Sequence, residues 1–179
     1  MRIVFAAAVV AIAPASAFAV DYLTADQAAR LMFPDADRFE TREIALDTAQ
    51  MQKLDAQGIR ARSPRWQVRQ AQRGATTIGF VVVDEVVGKF ELITYAVGIG
   101  TDGAVKQVEV LSYRESHGHE IRLPAWRKQF VGKTSAAPIR VGDDISNISG
   151  ATLSCNHVTE GIRRIVNVLE IARSGGAVP

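Results

Sequence analysis

The chain has 179 residues, 47% hydrophobic and 22% charged, a composition that folds rather than stays disordered. The net charge of +2, with no run of five or six basic residues, excludes a phosphate-tracking nucleic-acid surface. The only cysteine, Cys155, leaves no internal disulfide and no C-x-x-C-H site for a c-type haem.

The first stretch, MRIVFAAAVVAIAPASAFA, has Arg2 ahead of an apolar run from Ile3 to Ala13, then Ala17-Phe18-Ala19. This is the pattern of a secretory signal, with cleavage expected after Ala19 and a mature chain over 20–179. The run is too short for a membrane anchor, and no cysteine follows it for a lipid. The expected location is the periplasm.

Thr24-Ala-Asp-Gln27 forms a capping box, so a helix is expected to about Met32, ending before Pro34. A second helix is expected in ALDTAQMQKLDAQG, with Leu46, Met51 and Leu54 at helical spacing and Gly58 ending it. Three strands follow: Thr76 to Val87, Phe90 to Ile99, and Ala104 to Tyr113 after a Thr101-Asp102-Gly103 turn. Short turns between them imply an antiparallel meander.

RESHGHEIR reads as a polar loop, and PAWRKQFVG as a short helix with Pro124 in its first turn and Gly132 past its end. A last helix is expected from about Leu153 to Arg173, with Val158, Ile162, Ile165, Val166 and Leu169 on an apolar face. Together these predict one α+β domain, an antiparallel meander with packed helices.

Ser149-Gly150-Ala151-Thr152 stands where the last helix begins. One reading is a helix cap, since Ser and Thr cap well and Gly lets the backbone turn. The other is a hydroxyl able to carry a phosphate ester, offset by the unpaired first-turn N–H groups and the helix dipole.

ISGATLS resembles the flavinylation motif of the FMN-binding domain family, found in subunits of the sodium-pumping NADH:quinone reductase and of Rnf-type complexes. The resemblance implies that a flavin transferase, drawing on FAD, attaches FMN through its phosphate to Thr152. Ser149, Gly150 and Ala151 are then the recognition context, and Leu153 and Ser154 the continuation. It further implies that Glu115-Ser116-His117-Gly118, matching the family's E-T/S-x-G loop, borders the flavin ring. HEIRLPAWRKQFVGK resembles the segment that follows this loop in the family, and LMFPDADRFE resembles a segment near the start of small exported members. The match departs at one position: many members carry Asp three residues before the motif's serine, where this chain has Ser146, with Asp143 and Asp144 just upstream.

By that resemblance the protein is a periplasmic carrier that relays electrons, with a membrane cytochrome or a quinone-linked reductase as partner. No Rossmann fingerprint offers a site for NADH. The alternative is a non-covalent module for FMN or another anion, an accessory without redox turnover.

Other chemistries are open to the polar residues of the chain. His117, His119 and Glu120 could form a facial metal set. Cys155 and His157, two apart on a helix, point to different sides, so a buried Cys155 is expected rather than a thiol nucleophile. No G-x-S-x-G elbow surrounds Ser149 or Ser154. Trp126 and Phe130 are expected to pack on the sheet, with a pocket wall as the lesser role for Trp126. Arg163 and Arg164 read as a solvated face, and Arg122 and Arg127 as neighbours of the phosphate or of a partner.

Overall fold

A computed structural model describes residues 20–178. The expected secretory signal therefore lies outside the described residues. Among the described residues no helix is long and apolar enough to cross a membrane.

The fold is α+β: six antiparallel strands in the order β1-β6-β5-β4-β3-β2, with helices on both faces. The strands are β1 (Val20–Asp21), β2 (Arg38–Ala45), β3 (Arg65–Arg73), β4 (Thr76–Val87), β5 (Leu92–Gly100) and β6 (Val105–Tyr113). The expected meander is its centre, β4-β5-β6. Helix α1 (Ala25–Met32) begins at the Thr24 capping box, with both reciprocal bonds made, and lies on one face with Phe33 over Val81, Ala96 and Leu111. Helix α4 (Thr152–Ser174) lies on the other face, where Val158, Ile162, Ile165, Val166 and Leu169 are all buried. Each such side chain contributes roughly 1.5–3 kcal/mol by leaving water.

The hairpin β2-β3 extends the sheet beyond the expected meander, and Ala45, expected in the second helix, ends β2. The reason is composition. Along RFETREIA only Ile44 is buried, and RWQVRQAQR alternates polar and apolar with Gln70 and Gln72 at buried positions. These strands acquire their identity from pairing, β3 with β4 and β2 with β3, not from hydrophobic alternation. Helix α2 (Thr48–Ala56) starts at Asp47, which makes a second capping box with Gln50, and helix α3 (Pro124–Arg127) is the expected short helix, with Pro124 in its first turn.

One contact sets the seat of α4. A Cβ on Gly161 would stand 1.9 Å from the Tyr95 hydroxyl. That hydroxyl donates to Asp84 at 2.9 Å, and Arg164 donates to the same carboxylate at 2.8 Å. Arg164 is thus no part of a solvated face: its side chain is 11% exposed and locks α4 to β4. Burial, then the Asp84 charge, push the Tyr95 hydroxyl well up from its usual pKa and keep it a neutral donor.

Candidate functional site

A cleft of about 430 Å³ opens where three segments meet, within the roughly 300–1,000 Å³ of small-molecule sites. The segments are the β4–β5 turn, the loop after β6, and the start of α4. Eight of the ten residues singled out from sequence line it: Glu115, Ser116, His117, Gly150, Ala151, Thr152, Leu153 and Ser154. Ser149 and Gly118 do not line it. Gly118 has φ +86°, and a Cβ there would stand 2.4 Å from the Ala151 Cβ, so glycine lets the loop touch the start of α4.

The cap reading of S-G-A-T fails. Ala151 is the N-cap, and no side chain caps the first turn of α4. Thr152 is the first helical residue and is exposed; its Oγ1 accepts a hydrogen bond from the Asn147 amide at 3.1 Å. Gly150, at φ +82°, has open space where a side chain would project. The first-turn N–H groups and the positive end of the helix dipole therefore stand beside an exposed hydroxyl and a bare backbone.

Glu115 has a structural task. It is 7% exposed, and its Oε1 accepts from the N–H groups of Phe90 at 2.6 Å and Glu91 at 3.0 Å. Burial alone would raise its pKa, but the backbone donors of Glu91, Phe90 and Lys89 outweigh it and hold the carboxyl below its usual value. The β4–β5 turn is thereby fastened to the loop after β6. The folded-state pKa is depressed, so this stabilisation is present above the ordinary carboxylate pKa of about 4.3 and is lost as pH falls through the folded value. Glu115→Gln should therefore unfold more readily in urea at pH 7, and its stability should change less than the parent's between pH 6 and pH 3. Parallel stability–pH curves would contradict this role.

Behind the cleft, the Tyr113 hydroxyl donates to the His117 carbonyl and lies 3.3 Å from Ser154 Oγ. Burial raises its pKa, so it bridges loop and helix as a neutral group. The His119 ring packs edge-on against Tyr113, with centroids 5.3 Å apart.

Lys89 and Phe90 complete the lining and were missed from sequence. Phe90 was assigned to a strand, whereas β5 starts at Leu92, and Phe90 is 74% exposed beside the cleft. The Gly88-Lys89 pair ahead of it was the available turn signal.

The other residues fall elsewhere. Cys155 is fully buried, and burial raises its thiol pKa, the opposite of an activated nucleophile. No group of three metal-ligating side chains occurs among the described residues. Trp126 is buried edge-on to Phe130 and does not line the cleft; its indole N–H holds the Ser146 carbonyl at 2.9 Å. Arg122 covers the Tyr22 ring at 3.3 Å, and Arg127 is paired with Glu109 beside β6, so neither lines the cleft.

Residues 88–167 match the family model described as an FMN-binding domain. No curated protein matches the chain. The matched stretch begins at the β4–β5 turn, ends within α4, and contains every residue lining the cleft.

Proposed function

With residues 88–167 an FMN-binding domain of that family and FMN its cofactor, we propose that the protein is an exported electron carrier holding FMN covalently through Thr152. The observation that carries this reading is the position of Thr152: an exposed hydroxyl on the first turn of a helix whose N–H groups no side chain caps.

The residues present fit the group. Its phosphate needs donors and positive potential, which the start of α4 supplies. Its chain needs close approach to backbone, which Gly150 permits. Its flat ring needs apolar contact, which Phe90 and Leu153 offer, exposed at 74% and 46%. Ser116 and His117, joined by a 2.9 Å hydrogen bond, supply polar groups at the same rim. Bound FMN supplies reversible electron uptake. The protein's share is attachment, orientation and partial exclusion of water.

Covalent retention suits a compartment where free FMN is scarce. The flavin transferase is the maturation partner, and a membrane cytochrome or quinone-linked reductase the electron partner. The testing experiment is intact mass of protein secreted from cells with an active transferase. A species heavier by one FMN less water, mapping to the Thr152 peptide, is expected. Flavin released on denaturation would assign the non-covalent module instead.

Ser146 gives a second handle. Its N–H donates to Gln129 Oε1 at 2.8 Å and its carbonyl accepts from Trp126, while the residue is exposed. Ser146→Asp keeps those backbone bonds and restores the family's acid. It should raise the flavinylated fraction when transferase is limiting; an unchanged fraction by mass would show that the acid is not required.

A further inference from the structure

Two clefts of about 490 and 560 Å³ meet along α4, sharing Ile59 and Arg163. Neither includes a residue lining the flavin cleft. From Glu160 to Ser174 they follow α4 for about 21 Å at 1.5 Å per residue. Six cations line this trough: Lys53, Arg60, Arg62, Arg140, Arg163 and Arg164. Against them stand Glu160, Glu170, which is held by Arg173 and Ser174, and Asp84, which is shared by Arg62 and Arg164. The local excess of positive charge exceeds the chain's net +2, so the rest of the surface is not basic.

Among the described residues the side chains of Lys53, Arg60 and Arg140 have no hydrogen-bond or ion-pair partner, and Arg163 reaches only the Gln57 carbonyl at 3.2 Å. The Arg164 Nε is buried without an acceptor. The segments that form the trough also carry the only two non-glycine residues with left-handed backbone among the described residues. Arg62 has φ +63° and Ile139, a buried β-branched residue, has φ +44°. Such backbone is costly, and it occurs here in the two segments that carry Arg60, Arg62 and Arg140.

We propose that this trough is a docking site for an extended acidic segment of a partner protein. Its length suits about six residues at roughly 3.3 Å each, and its open, polar walls offer charge at intervals instead of one enclosed anion pocket. The proposal rests on the trough alone and holds with or without FMN.

The test is fluorescence anisotropy of the mature protein with a fluorescein-labelled hexaglutamate peptide, at about 0.02 M salt, where the screening length is roughly 20 Å. Saturable binding is expected. It should weaken at least about tenfold in the Arg60→Glu/Arg163→Glu double variant, because each reversal replaces attraction by repulsion. An equal charge change on the α1 face of the sheet, Arg30→Glu/Lys106→Glu, should alter affinity less than about twofold. Circular dichroism of both variants confirms folding. Equal loss in the two double variants, or no binding by the parent, overturns the proposal. So does binding of inorganic tripolyphosphate that the trough variant abolishes while peptide affinity stays unchanged, which would assign a small-anion site.

Discussion

With FMN held as proposed, Thr152→Val should remove all covalent flavin while leaving the fold intact. Valine keeps the shape but has no oxygen to form the ester. The exposed side chain accepts one hydrogen bond, the 3.1 Å bond from Asn147, whose loss costs about 0.5–1.5 kcal/mol. Intact mass and flavin fluorescence in denaturing gels report the result directly. Thr152→Ser retains a hydroxyl at the same helix position and should retain modification. Flavin in the valine variant equal to the parent's after denaturation would place the attachment elsewhere.

The largest stability effect is expected at Gly161. Its Cα faces the Tyr95 hydroxyl so closely that an added methyl would stand 1.9 Å from that oxygen and 2.8 Å from the ring carbon bearing it. Tyr95 is fully buried and bonded to Asp84, so it has no free space into which to swing. Alanine favours a helix over glycine by about 1 kcal/mol, yet overpacking costs about 1–3 kcal/mol, and here it also displaces the Asp84 bonds of Tyr95 and Arg164. A net loss of about 1–3 kcal/mol is expected for Gly161→Ala, which lowers Tm by roughly 2–4 °C per kcal/mol in a chain of this size. In a Tyr95→Phe background the same substitution should cost less, because the nearest atom is gone. Equal costs in both backgrounds would show that the hydroxyl is not the obstacle.

These two sites differ in how far they could be read in advance. Thr152 stands in a contiguous motif, and a helix start is a local feature, so its place at the start of α4 was legible in the sequence. Gly161 carries no such signal: within the helix it is an ordinary weak position, and only Tyr95 from another element makes it necessary. The same contrast divides the cleft. Glu115 to Gly118 and Gly150 to Ser154 belong to two motifs, while Lys89 and Phe90 belong to a turn without one. That turn reaches the cleft because Glu115 accepts its N–H groups across the sheet.

Features governed by near neighbours are legible in the amino-acid order. These include the capping box at Thr24, the three central strands with their short turns, the apolar face of α4, and the hydroxyl at its first turn. Each depends on residues a few positions apart, whose periodicity or cap chemistry acts within one element. The tertiary structure alone decided the hairpin β2-β3, the burial of Arg164 on Asp84, the role of Glu115 as a clasp, and the gathering of six cations along α4. Those depend on partners far apart in the chain. A charged or polar side chain takes its environment from what the fold brings beside it, and its own neighbours in sequence do not encode that.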